Sequence, residues 1–189
     1  MRLEGATPTN ARDERITATT MELLRARGPR AVTVEAVAAE SGVAKTTIYR
    51  RYRDRSDMLA AALVSVAKPE LPPTNATAEA VLEWVVGQSQ HAIEGGIGAG
   101  GAAALLAEDD LESTELIRSL LMQHRRALAE ALDRILSDEL RQQLDVDTVL
   151  DCIVGAYLAE RARSGEVRPG WQERVLRTIR PALSSSSTA

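Results

Sequence analysis

Apolar residues recur at intervals of three and four along nearly the whole chain, and no sustained alternation of β-branched or aromatic residues interrupts them. Spacing near 3.6 marks helices with one buried face, whereas alternation marks strands, so the chain is predicted to be all-α, with about nine helices. Thr9 or Asn10 is placed to cap a first helix running to about Arg27, with Ile16, Thr20, Leu23 and Leu24 inward and Gly28-Pro29 stopping it. Thr33 can cap a short second helix in which Val34, Val37 and Ala38 form one apolar face. Ser41-Gly42 ends that helix, since glycine takes the left-handed cap conformation at little cost. A third helix follows almost at once, from about Lys45 to Tyr52, with Ile48 and Tyr52 on one face and Lys45, Thr46, Tyr49 and Arg50 toward another. Asp54 then caps a fourth, Arg55 to about Ala67, with Met58, Leu59, Ala62 and Val66 inward.

Pro69, Pro72 and Pro73 break the pattern and divide a module at 10–70 from a larger helical domain at 74–183, with disordered termini at 1–9 and 184–189. In the second region Thr77 caps a helix through Val81, Trp84, Val85 and Ile93. The run G-G-I-G-A-G-G at 95–101 reads as a flexible break before an Ala-Leu segment near 102–107. A long helix from about Ser113 to Leu136 carries Ile117, Leu120, Leu121, His124, Leu128, Ala131, Leu132 and Ile135 as one apolar stripe. Two further helices close the chain, one along Val146, Val149, Leu150, Ile153, Val154, Tyr157 and Leu158, the other stepping by four through Trp171, Val175 and Ile179.

Composition narrows the class. With 189 residues, 44% hydrophobic and 26% charged, the chain can build a core without staples. The lone Cys152 offers neither an intramolecular disulfide nor a zinc quartet, and a buried structural thiol is its expected role. No apolar stretch approaches the roughly 18 residues that cross a bilayer, and the start lacks an apolar signal core, so a cytoplasmic protein without membrane contact is expected. The net charge of −4 is unevenly spread. Residues 1–60 hold eleven Lys/Arg against eight Asp/Glu, and the remainder twelve against nineteen. Lys45, Arg50, Arg51, Arg53 and Arg55 fall within eleven positions whose only acid is Asp54, which suits a run of phosphates. Charge alone leaves a merely solvated helix face equally open.

Two short helices joined by a tight glycine-containing turn form a helix-turn-helix, whose second helix can enter the major groove while the first braces it. The stretch T-V-E-A-V-A-A-E-S-G-V-A-K-T-T-I-Y-R-R-Y, Thr33 to Tyr52, together with the preceding helix and D-R-S-D-M-L, resembles the TetR family of regulators over about residues 10 to 70. The match lies in order and spacing: a Thr opening the first motif helix, an Ala near its middle, a Gly-Val turn, a Tyr late in the second helix, an aromatic three residues on, and a basic residue starting the next helix. The resemblance implies that Lys45, Thr46 and Thr47 lie near base edges and that Tyr49 and Arg51 reach the DNA, with Arg50 on the same basic face. Lysine can donate to guanine O6 and N7, and a threonine methyl can meet that of thymine. Thr33 and Arg55, each at a helix start, are expected at phosphates.

Three departures from the family pattern stand out. Arg51 replaces a common His and should strengthen phosphate contact while removing pH sensitivity. Ala44 stands where many members cap the third helix with Ser, a loss of about 1 kcal/mol. Tyr52 replaces Phe and is expected at the core's rim, where its hydroxyl finds a partner or water.

Other signals are weaker. Residues 96–101 satisfy the letters of G-x-G-x-x-G, but a helix rather than a strand precedes them, so an enzyme or small-molecule-binding protein built on the glycine-rich 95–101 segment is only the alternative reading. His91 and His124 have no second ligand at metal spacing, and no nucleophile stands in a triad pattern, so no cofactor, metal or catalytic role is expected. Glu108-Asp109-Asp110 lacks the spacing of a calcium loop and reads as a solvated run. In the larger domain Trp84, His91, Met122, His124 and Tyr157 are candidate linings for a small-molecule effector of unknown identity. The last two helices, with Gly155, Ala156 and Ala159 allowing close approach, carry the candidate homodimer contacts Val149, Ile153, Ala156, Tyr157, Trp171, Val175 and Ile179, the place where the family usually dimerises. Burial of the same stripes within one subunit remains the competing reading. A ligand-released repressor on double-stranded DNA is the function this pattern implies, with a hinge near 67–73 changing the separation of the two recognition helices.

Overall fold

The computed structural model describes residues 8–67, 76–108, 110–136, 138 and 145–184, and among these the chain is entirely helical. The helices are α1 (Pro8–Arg27), α2 (Val34–Ser41), α3 (Lys45–Arg51), α4 (Arg55–Ala67), α5 (Ala78–His91), α6 (Gly98–Ala107), α7 (Leu111–Asp133), α8 (Val146–Ser164) and α9 (Trp171–Ser184). A short 3-10 turn, Pro29–Ala31, follows α1, and a π-helical stretch, Ala92–Ile97, joins α5 to α6. The caps read from the sequence are in place. Thr33 Oγ1 accepts from the Ala36 amide at 3.0 Å, Asp54 Oδ1 from Asp57 at 2.8 Å and Thr77 Oγ1 from Ala80 at 3.2 Å, each satisfying a first-turn donor. α1 is the exception, beginning at Pro8, two residues earlier than a Thr9 cap implies and three earlier than an Asn10 cap. The proline break at 69–73 and most of both termini lie outside the described residues.

The chain divides into two compact units, Met1–Lys68 with Ile93–Leu121, and Pro69–Ala92 with Met122–Ala189. In the first, α1 packs against α2, α4 and α6. Ile16, Leu23, Leu24, Val37, Ile48, Met58 and Leu59 fill its core, and Thr20 is fully buried on the inner face of α1. In the second, α5 packs against α8 and α9. Val85, Val86, Leu132, Leu150, Ile153, Tyr157 and Trp171 are buried there, the last two edge-to-face with ring centroids 5.4 Å apart.

The glycine-rich segment is not a flexible break. It continues the helix, first as a π turn and then as α6, and lies directly on the C-terminal end of α1. A methyl group at Gly100 would collide with the Gly28 amide nitrogen and stand 2.6 Å from the Leu24 carbonyl oxygen. One at Gly98, where φ is +66°, would strike the backbone of Arg25. Arg25 Nε also donates to the Gly96 carbonyl at 3.3 Å. The backbone of α1 thus occupies the positions that side chains at Gly98 and Gly100 would need. Their spacing serves close helix packing, a use that the letters G-x-G-x-x-G share with phosphate cradles.

A second correction concerns Cys152, which is exposed on α8 rather than buried. A buried acid of the second unit, Glu160, is one that sequence reading passed over. Its carboxylate accepts from Arg168 Nε at 2.9 Å, the Arg168 amide at 3.1 Å and Arg174 Nη2 at 2.8 Å, stapling the end of α8 to the start of α9. Arg168, and then Arg174, hold its carboxyl down to about 2 against burial, which pushes it up.

Two tests follow from this packing. Gly100→Ala should destabilise the protein by about 1–3 kcal/mol in urea unfolding, because backbone rather than a flexible side chain receives the added methyl. For Glu160, a carboxyl lowered in the folded state stabilises above its ordinary value of 4.5 and ceases to do so as pH falls toward about 2. Glu160→Gln should therefore melt below wild type at pH 7, and the gap should close across that window in thermal melts.

Candidate nucleic-acid interface

α2 and α3 meet through a turn whose geometry is set locally. Gly42 takes φ +67° with no atom near its absent side chain, so the left-handed backbone and not crowding demands glycine. Ser41, buried, accepts from the Val43 amide through Oγ at 3.2 Å and closes the turn. α3 begins at Lys45 behind Ala44, which offers no side-chain cap, so the first-turn amides are left unpaired by a capping side chain, as the sequence implies. Ile48 is fully buried and anchors α3 against the core.

That anchor decides what the rest of α3 presents. Lys45, Thr46, Tyr49, Arg50 and Arg51 are exposed and Thr47 half-exposed, with Tyr49 at 55%. An aromatic ring left open among exposed cations suits contact with sugar or base. Tyr52, by contrast, is only 8% exposed and belongs to the core rather than to its rim. Lys45 Nζ lies 3.0 Å from Glu35 Oε1 and Arg51 Nη2 lies 3.1 Å from Asp13 Oδ2. The Lys45 pair is exposed on both sides and Arg51 is exposed on its own, though Asp13 is half-buried, and water and salt leave surface contacts of this kind worth about 0–1 kcal/mol. Neither holds its cation back from a phosphate. Thr33 is half-buried and its hydroxyl accepts at the helix cap, which leaves its O–H free to donate outward.

Arg55 departs from expectation. Its guanidinium turns inward, Nε donating to the Val32 carbonyl at 2.6 Å and Nη2 to the Pro29 carbonyl and to Asp110 Oδ2, the last at 2.6 Å. Asp110 in turn departs from the solvated run in which it was read. Its other oxygen accepts from the Ser113 amide at 3.3 Å and caps α7. Sequence spacing could not reveal a pairing across 55 positions.

In the second unit the candidate effector linings are spread. Met122 and His91 are exposed, against the expectation of a shared lining, and Tyr157 is buried against Trp171. His124 is buried, its Nε2 3.3 Å from the Gln88 carbonyl, so that nitrogen carries the proton. Burial pushes its pKa down, the Gln88 contact raises it, and His91 lowers it further, for a net decrease that keeps the ring neutral near pH 7. Trp84 Nε1 is buried and finds no acceptor among the described residues. Of the candidate dimer contacts, Ile153, Tyr157, Trp171 and Val175 are buried within their own unit, Val149 and Ile179 are half-exposed, and Ala156 is exposed. Among the described residues no group of three His, Cys, Asp or Glu could hold a metal, and no helix is long and apolar enough to cross a membrane.

Residues 16–62 match the family described as "Bacterial regulatory proteins, tetR family". The chain is 28% identical over 180 residues to the uncharacterized HTH-type transcriptional regulator YdeS of Bacillus subtilis (strain 168), covering 88% of this chain and 87% of that one. Among solved structures it is similar in fold to the transcriptional regulator FadR from Bacillus subtilis in complex with stearoyl-CoA, with TM-score 0.59, 18% identity, and 92% and 99% of the two chains covered. It is likewise similar to the fatty acid degradation regulator FadR from Bacillus halodurans, with TM-score 0.62, 15% identity, and coverage of 98% and 100%.

The exposed cations give a direct measurement. Arg51→Ala should reduce the slope of log affinity against log salt by about 0.9 for duplex DNA, one phosphate contact's worth, with little change in sequence preference. An unchanged slope would place Arg51 off the DNA.

Proposed function

We propose that this protein, a TetR-family transcriptional regulator that binds DNA through its helix-turn-helix, is a repressor that sits on a pseudo-palindromic operator as a homodimer and is released by a small molecule. The observation that carries this reading is α3 itself, locked to the core by Ile48 while Lys45, Thr46, Tyr49, Arg50 and Arg51 stay exposed on the surface. Lys45, Thr46 and Thr47 read base edges, Tyr49, Arg50 and Arg51 contact the backbone, and Thr33 meets a phosphate at the start of α2. Residues 10–70 serve as the reading head and 74–183 carry effector binding and dimerisation, and the protein works in the cytoplasm.

Dimerisation uses the face of α8 that its own subunit leaves uncovered. Cys152, Gly155, Ala156 and Ala159 are exposed at helical spacing, and such small side chains let a second helix approach closely. Two-fold symmetry then offers two copies of α3 to two half-sites. The effector binds the second unit, where a neutral His124 and the unpartnered Trp84 Nε1 supply polar contacts amid aliphatic side chains. Release requires only that it favour a separation of reading heads unsuited to the operator. The structure of the Bacillus subtilis FadR with stearoyl-CoA makes long-chain acyl-CoA thioesters the first class to assay.

Selection of bound duplexes from a random library tests the whole reading. The winners should carry two inverted half-sites about 34–36 Å apart or a multiple of that, light scattering should give twice the chain mass, and a panel of effectors should include one that releases the selected duplex. Recovery of no preferred sequence would sink the operator reading.

A further inference from the structure

The basic residue that opens α4 sits where the resemblance leads one to expect a phosphate contact, yet in this chain its donors are already engaged. Arg55 reaches the carbonyl oxygens of Pro29 and Val32, the two residues that bracket the turn leading into Thr33 and α2, and it meets Asp110 at 2.6 Å. Both side chains of this ion pair are largely shielded, at 29% and 15% exposed, whereas Lys45 and Arg51 are themselves more than half exposed in theirs. Asp110 uses its second oxygen to cap α7 through the Ser113 amide. Burial pushes its carboxyl up, but the hydrogen bonds from Arg55 and Ser113 outweigh it, so the carboxylate stays charged at neutral pH. One guanidinium thus joins three segments far apart in sequence: the turn before α2, the start of α4 and the start of α7.

We propose that Arg55 is a positioning residue and not a phosphate contact, and that the Asp110–Arg55 clasp fixes the N-terminal end of α2, and with it Thr33, at the attitude DNA requires. Two carbonyls facing one planar, five-donor fork leave little freedom to the 29–32 turn, which neither a lysine nor a solvated arginine would restrain in the same way. The clasp also makes the setting of α2 depend on where α7 begins, a dependence that no contact within the helix-turn-helix provides. The proposal rests on α2 and α3 reading DNA.

Asparagine caps helices as well as aspartate, so Asp110→Asn keeps the α7 cap while removing the charge that Arg55 grips. Asp110→Asn, Arg55→Gln and the double variant are compared with wild type in two measurements. In hydrogen exchange without DNA, each single variant should speed exchange at the Val32, Thr33 and Ala36 amides while core amides such as Leu59 keep their rates. On the selected duplex, or on a mixed-sequence duplex if none is selected, each should bind roughly tenfold more weakly, the double variant no worse than either, with the salt slope of wild type. If instead Arg55→Gln lowers the slope by about 0.9 while Asp110→Asn leaves affinity equal or tighter, Arg55 is a phosphate contact and the proposal falls. Exchange that is unchanged, or faster everywhere alike, overturns it as well, and does so whether or not an operator has been found.

Discussion

α1 serves two partners at once, the helices of the reading motif and α6, and it can do so because backbone meets backbone at its C-terminal end. Gly28 and Gly100 stand so close that a methyl on Gly100 would strike the Gly28 backbone, and Gly98 lies as near to Arg25. Contacts this short leave no layer of flexible atoms to absorb a displacement, so the first unit is close-packed from α6 through α1 to α2 and α4. Every polar feature of the interface is then a decoration on a rigid frame, and the orientation of α3 follows from where Ile48 must go.

The cations of the first sixty residues have two fates under that frame. Lys45, Arg50 and Arg51 remain exposed at the surface, and their charge is available to a polyanion. Arg55, only four positions beyond Arg51, is drawn inward by two carbonyls and a shielded carboxylate. Neighbouring members of one basic cluster therefore stand in different surroundings, and what separates them is burial and not residue type. The second unit repeats the lesson with Glu160, whose two arginine partners turn an acidic residue on an apolar stripe into the joint between α8 and α9.

The sequence alone determined the helical class, the positions of the caps at Thr33, Asp54 and Thr77, the Gly42 turn and the exposed face of α3, because each depends on residues within about four positions of one another, the range over which helical geometry acts. Tertiary structure decided the rest. That the glycines at 95–101 pack a helix rather than loosen a loop, that Asp110 is a clasp and not a solvated acid, and that Tyr157 and Trp171 meet edge to face all turn on partners 14 to 76 residues away in the chain, and that Cys152 faces outward turns on which face of its helix is covered. A periodic pattern says which face of a helix is apolar. It does not say which other helix will cover that face, because that choice is made by the packing of side chains brought together only when the chain has folded.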